Sequence, residues 1–285
     1  MKVPKRLQPL VEEGLINEVL SRLMSGKEAD IFIVRCGDDI RCAKVYKDVM
    51  HRSFKKAAQY QEGRKVRSSR RARAMEKGSA YGRKQHEEIW QNAEVDALSR
   101  LSSAGVRVPT TFGCVDGVLL MELVTDEAGD AAPRLDDVSM PEELALEDHA
   151  TMMHYAKLML CAGIVHGDLS EFNVLVDEYG PVIIDLPQAV NASANNNAQA
   201  MFSRDVDNMT RYYSRYAPSL LNTHYAKEMW ALFEEGELTP ETELTGYFED
   251  DSTAANVDSV LEEIKAAILE EEDRQARMLR PDNDE

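Results

Sequence analysis

The chain is predicted to be a two-lobed α+β protein, with strands gathered before residue 125 and helices dominating after residue 140. Three observations predict this. Short β-patterned runs, Ile31–Val34, Ile40–Tyr46 and Gly117–Met121, all fall in the first part. Longer runs with apolar residues at helical spacing fall in the second. The 285 residues, 44% of them hydrophobic, suffice for one large domain or two small ones with a core of ordinary size. A cleft between two lobes is the usual place for a small ligand.

Taken in order, Leu7, Leu10, Val11, Leu15, Val19 and Leu23 recur every three or four residues, which predicts an amphipathic N-terminal helix within residues 1–24. The polar run Ser25-Gly-Lys-Glu-Ala-Asp30 is a loop. Ile31–Val34 and Ile40–Tyr46 flank Gly37-Asp-Asp39 and predict a β-hairpin. Residues 51–84 show no lasting apolar period and read as a mobile insertion. A helix resumes near Glu87 and passes Trp90, Glu94, Leu98 and Leu101; Gly105 and then Pro109 end it. Gly117–Met121 is a strand, so the first lobe is expected over 25–124. After an Asp-, Ala- and Pro-rich loop (125–141), the helix at 142–161 places Leu144, Met152, Met153, Ala156 and Leu160 on its apolar side. Val174–Val176 and Val182–Ile184 are short strands joined by Asp177-Glu-Tyr-Gly180. The second lobe is expected over 125–235, followed by an acidic helical tail over 236–285, with an amphipathic helix at Val257–Leu279.

The formal net charge of −18 argues against a general nucleic-acid binder, whose phosphate contacts need a basic surface. The charge is uneven. His51 to Lys84 holds 12 Lys/Arg against 2 Asp/Glu, which leaves −28 for the rest of the chain. Only residues 51–84 are therefore candidates for touching RNA. No apolar stretch approaches the ~20 residues of a spanning helix, and the N-terminus shows no signal-peptide h-region. Cys36, Cys42, Cys114 and Cys161 have no zinc spacing and read as reduced thiols of a cytoplasmic protein.

The chemistry-bearing run is Ile164-Val-His-Gly-Asp-Leu-Ser-Glu-Phe-Asn-Val-Leu-Val176, with Val182-Ile-Ile-Asp185 after it. Phosphoryl transfer from ATP needs a carboxylate to orient the attacking hydroxyl and oxygen ligands for Mg²⁺ on the phosphates. Asp168 suits the first role; Asn173 and Asp185, five residues on and at the end of an apolar strand, suit the second. Lys44, inside an apolar strand, is a phosphate-binding candidate, with Glu94 as the helix carboxylate that would hold it. The loop at 25–30 is neither a G-x-G-x-x-G nor a Walker A motif. Its amides, with Ser25 and Lys27, are candidates to cover phosphates.

These pieces, together with Met121-Glu-Leu-Val124, Ala131-Ala-Pro-Arg-Leu135, Ile184-Asp-Leu-Pro-Gln188 and Arg204-Asp-Val-Asp-Asn208, resemble the RIO-type atypical serine/threonine protein kinases over about residues 20–215. The resemblance implies a bilobal kinase-like fold, α+β, with a small β-rich N-lobe and a mainly helical C-lobe. The fold would be reduced, without an activation loop or an A-P-E segment. It implies ATP as donor and Mg²⁺, or Mn²⁺, as the metal. It implies phosphate binding by Lys44, adenine held by backbone groups of Glu122 and Val124, and metal ligation by Asn173 and Asp185. It implies catalysis by Asp168, and by Asp185 as the site of a phosphoaspartate. His166 is expected to shape the loop rather than to react. Nothing resembling a winged-helix domain precedes the kinase core, which points to the branch without one, a bacterial-like member. The implied partners are a protein substrate, including the chain itself, and a ribosome-related assembly. Gly167 and Leu186-Pro187 depart from the residues common in the family and touch no proposed ligand.

Two other readings compete. Aminoglycoside and choline phosphotransferases share H-G-D-x-x-x-x-N and a later I-D, and an acidic surface suits a polycationic substrate. Alternatively, the chain is an ATP-switched assembly factor in which nucleotide state matters more than turnover.

Overall fold

A computed structural model describes residues 2–26, 28–47 and 93–249. Five strands form one antiparallel sheet: β1 (Glu18–Ser25), β2 (Ala29–Cys36), β3 (Asp39–Tyr46), β4 (Thr111–Val115) and β5 (Val118–Glu122), in the order β1-β2-β3-β5-β4. The hairpin β2–β3 forms as the sequence predicts. Gly37 supplies the left-handed residue its turn needs, at φ 64°.

The central strands β2, β3 and β5 are covered on both faces, and alternation sorts their residues between them. Phe32 and Val34, Ala43 and Val45, and Val118 and Leu120 pack on one side with Leu7, Leu10 and Ile16. The odd-numbered neighbour Leu119 and the even-numbered Tyr46 belong to the main core with Ala97, Leu98 and Leu101 of α2, the helix over residues 93–103. Lys44, two residues from Tyr46, therefore faces the α2 side.

The expected N-terminal helix is corrected. Only Gln8–Glu12 is helical (α1), and residues from Glu18 are strand β1. Gly14, at φ 76°, ends the helix. The three-and-four spacing beyond it is coincidental, because β1 carries two irregularities of register, between Val19 and Ser21 and between Arg22 and Met24. These bulges break the alternation by which a strand is normally read.

The second lobe is built on α3 (Glu142–Cys161), α4 (Ala198–Tyr213) and α5 (Tyr225–Glu235). Two small antiparallel ladders carry the chemistry-bearing run. One pairs β6 (Ile164–Val165) with β9 (Val190–Asn191). The other is the hairpin of β7 (Val174–Asp177) and β8 (Gly180–Ile183). The architecture is thus a bilobal α+β fold of reduced kinase type. The chain continues past residue 235 as part of this body. Lys157 donates to the Thr242 carbonyl at 2.7 Å, and the Glu228 carboxylate accepts from the Thr245 and Gly246 amides, each at 2.7 Å. The predicted insertion 51–84 and helix Val257–Leu279 lie outside the described residues. Among the described residues no helix is long and apolar enough to cross a membrane.

Candidate active site

Strand β3 delivers Lys44 and helix α2 delivers Glu94 into the same buried space. Lys44 Nζ donates to Glu94 Oε1 at 2.7 Å and to Asp185 Oδ1 at 2.7 Å. Lys44 and Glu94 are 6% and 1% exposed, whereas the Asp185 side chain is 45% exposed. The ammonium therefore sits between one sealed carboxylate and one open to solvent. The Tyr46 hydroxyl donates to Glu94 Oε2. Burial alone would lower the Lys44 pKa; the charges and hydrogen bonds of Glu94 and Asp185 more than offset it and hold the ammonium charged. The Asp185 carboxyl is held below its ordinary value. Burial pushes it up, but the charge and the hydrogen bond of Lys44 outweigh that.

Asp185 follows β8 with a left-handed backbone, φ 66°. His166, 1% exposed, ties this segment to the loop of Asp168: its Nδ1 accepts from the Asp168 N–H at 3.3 Å, and its Nε2 lies 3.0 Å from the Ile184 carbonyl. With Nδ1 accepting, the ring proton is on Nε2 and goes to Ile184. The imidazole is thus fully used in shaping the loop. Asn173 closes a short 3₁₀ turn; its Nδ2 donates to the Asp168 carbonyl at 2.8 Å, which leaves its amide oxygen as an acceptor. Gln188 Nε2 approaches Asp168 Oδ2 at 3.4 Å.

A second clamp comes from α4. Asp205, 3% exposed, accepts from the Gly167 N–H at 2.6 Å and the Leu169 N–H at 3.2 Å. Arg204 donates to the Gly167 carbonyl, and Asn208 Nδ2 to the Leu169 carbonyl at 3.0 Å. Burial raises the Asp205 carboxyl above its ordinary range, although the amides it accepts from pull the other way. From sequence, Arg204-Asp-Val-Asp-Asn208 carries the family resemblance but no assigned role. The signal available was an Asp with an Asn three residues on, both polar, in a segment otherwise read only as helical.

At the connection between lobes, Glu122 is anchored twice to Thr110: its N–H donates to the Thr110 carbonyl at 2.8 Å, and its Oε2 accepts from the Thr110 N–H at 3.0 Å. Val124 is buried; its carbonyl accepts from the Ala132 N–H at 2.9 Å, and its N–H has no hydrogen-bond partner among the described residues. Ser25 Oγ donates to Asp30 Oδ1 at 2.5 Å, and Lys47 Nζ reaches the Gly26 carbonyl at 2.7 Å, so the turn after β1 is pinned to β3. Lys27 lies outside the described residues.

The structure thus brings Lys44, Glu94 and Asp185 into direct contact and ties Asp168 and Asn173 by hydrogen bonds, through His166 and the Asn173 carbonyl, to Ile184, the residue before Asp185. Glu122, Val124 and Ser25 stand apart from these contacts. Among the described residues no group of three His, Cys, Asp or Glu side chains could hold a metal ion. A Mg²⁺ that keeps water and phosphate oxygens needs only one or two protein oxygens. The free Asn173 amide oxygen and the charged Asp185 carboxylate are donors of that hard type.

A sequence model of the RIO domain matches residues 30–226, more than half of the chain. The chain belongs to the RIO kinase family. It is 32% identical over 207 residues to the RIO-type serine/threonine-protein kinase Rio1 of Haloferax volcanii, covering 72% of this chain and 67% of that protein. It is 30% identical to the Rio1 of Methanocaldococcus jannaschii, over 70% of this chain and 64% of that protein. With the human serine/threonine-protein kinase RIO1 the identity is 27%, over 74% of this chain and 36% of that protein. The RIO kinase domain is therefore the shared part. It is a phosphotransferase domain of the protein-kinase class, and the larger relatives extend well beyond it.

Proposed function

We propose that this RIO kinase domain transfers the γ-phosphoryl group of ATP to a serine or threonine hydroxyl of a protein. The observation that carries the reading is the single ammonium of Lys44 held at 2.7 Å by both Glu94 and Asp185, beside the Asp168 loop. A charge fixed in this way is poised for phosphate oxygens, and Asp185 is the partner it would share with them. In this reading Asp168 accepts the proton of the attacking hydroxyl as oxygen bonds to the γ-phosphorus, and the bond to the β–γ bridging oxygen breaks to release ADP. Asn173 and Asp185 would hold Mg²⁺ or Mn²⁺, which neutralises phosphate charge when bound. Glu94 positions Lys44. The adenine edge would meet the Glu122 carbonyl and the unpartnered Val124 N–H. The turn bearing Ser25 and Lys27 would cover the phosphates.

The finer assignments belong to the same proposal. Membership of the bacterial-like branch without a winged helix rests on the sequence resemblance alone. Four unpaired cysteines suit a reducing, cytoplasmic setting. A phosphoaspartate at Asp185, ATP hydrolysis and a ribosome-related partner are carried by the family resemblance alone; autophosphorylation within 51–84 rests on the sequence there, where Ser68 and Ser69 lie among arginines and the segment links the Lys44 strand to the Glu94 helix. The test is incubation with γ-labelled ATP, Mg²⁺ and a generic basic protein substrate. Label should enter protein hydroxyls and be lost in Asp168→Ala. Label that enters only an added small amine would replace this reading with a small-molecule phosphotransferase.

A further inference from the structure

The run Ala131-Ala-Pro-Arg-Leu135 has so far no task, and its arginine stands where the two lobes meet. The backbone is locked: Arg134 pairs with Leu175 of β7, and the Pro133 carbonyl accepts from the Val176 N–H at 3.0 Å. Leu175 packs with Val124, Ala132 and Val182, so the Arg134 backbone sits beside the connection between lobes. Its side chain reaches the first lobe. NH2 lies 2.9 Å from Sδ of Met24, the residue of β1 directly before Ser25.

This is a poor resting place for a guanidinium. The group offers five N–H donors in a fork matched to carboxylate or phosphate, and a thioether is a weak acceptor. Among the described residues Arg134 makes no ion pair. A partly buried, unpaired arginine on a rigid stem, reaching the residue before the Ser25 turn, has the chemistry of an anion receptor awaiting its anion.

We infer that Arg134 is a nucleotide-binding residue that exchanges Met24 for phosphate oxygens of bound ATP, so that Lys44 from the first lobe and Arg134 from the second grip one phosphate chain. The inference rests on the ATP-binding reading above. The competing role is a mechanical strap in which Arg134 merely joins β1 to the second lobe.

The test compares wild type, Arg134→Lys and Arg134→Met by calorimetric titration with a non-hydrolysable ATP analogue plus Mg²⁺, and separately with adenosine. Adenosine occupies the same cleft without phosphates and reports whether each variant is folded there. Arg134→Met keeps length and apolar contact with Met24 while removing the charge. It should bind the ATP analogue about tenfold more weakly, with adenosine affinity unchanged, and Arg134→Lys should fall between. Equal weakening of both ligands, or no change for either, would overturn the inference in favour of the strap. Wild type that binds neither ligand would instead overturn the functional reading on which the inference rests.

Discussion

The Tyr46 hydroxyl donates to the second oxygen of Glu94, the one Lys44 does not use. Glu94 is 1% exposed, so without this contact half of a buried carboxylate would have no donor. Tyr46→Phe keeps the ring in the core and deletes only the donor. It should cost about 1–3 kcal/mol of stability, read from the midpoint of chemical denaturation at unchanged slope. The variant should also weaken ATP binding, because Glu94 becomes free to rotate away from Lys44. A variant as stable as wild type would show that the contact does not matter.

Removing the Asp185 charge should separate metal from nucleotide. In Asp185→Asn, Lys44 keeps Glu94 and the fold persists. The increase in ATP affinity that Mg²⁺ brings to wild type should disappear, because an amide oxygen is a weaker ligand than a carboxylate. Titrations with and without Mg²⁺ measure this directly. An unchanged Mg²⁺ response would remove Asp185 from the metal site.

Asp205 touches no expected substrate position yet holds the Gly167 and Leu169 amides on either side of Asp168. Asp205→Asn offers one acceptor where two are needed and turns an N–H toward an N–H. Phosphoryl transfer should fall about a hundredfold, the order that misplacement by an ångström costs, with the KM for ATP nearly constant. A rise in KM with kcat preserved would mean that Asp205 acts on binding rather than on loop position.

Much of this site was readable before any coordinates. Asp168, Asn173 and Asp185 announce themselves by fixed spacing, and Lys44 by being a charge inside an apolar strand. What the sequence hides is pairing across distance. Lys44 and Asp185 are 141 residues apart, and nothing local to either marks the other. Likewise β1 escapes detection because its bulges leave five consecutive residues exposed after a single buried and a single half-buried position. Helix α3 is legible in its extent but only partly in its face: Met152, Met153, Ala156 and Leu160 are buried as their spacing predicts, whereas Leu144 is exposed and Asp148, His149 and Lys157 are buried with them.

Acid titration should expose two opposed groups at one place in α3. Burial, with Glu147, pushes the Asp148 carboxyl up to about 6; burial pushes the neighbouring His149 down to about 4. Between about pH 4 and 6 the folded protein keeps an Asp148 proton that the unfolded chain has lost, so this contribution to stability falls as pH rises. His149 does the reverse: the unfolded chain holds a proton that the folded one lacks, so stability rises with pH up to about 6.5. Asp148→Asn removes the first effect. Its stability should climb more steeply than that of wild type from pH ~4 to ~6.5 and exceed it at about pH 7. Denaturant midpoints across that range decide the matter, and a variant less stable than wild type at neutral pH would contradict it.

The left-handed backbone of Asp185, φ 66°, restricts substitution independently of its chemistry. Asparagine and glycine adopt such an angle readily; alanine, serine and glutamate do so at a cost of the order of 1 kcal/mol or more. Alanine at this position therefore alters the main chain as well as the charge, and its loss of activity overstates what the carboxylate alone supplies. In a saturation library scored both for protein abundance and for phosphoryl transfer, the two maps should part company here. All variants would lose transfer, but abundance would rank asparagine and glycine above the other small or acidic residues, a signature of backbone selection that an activity screen by itself would attribute wholly to the side chain.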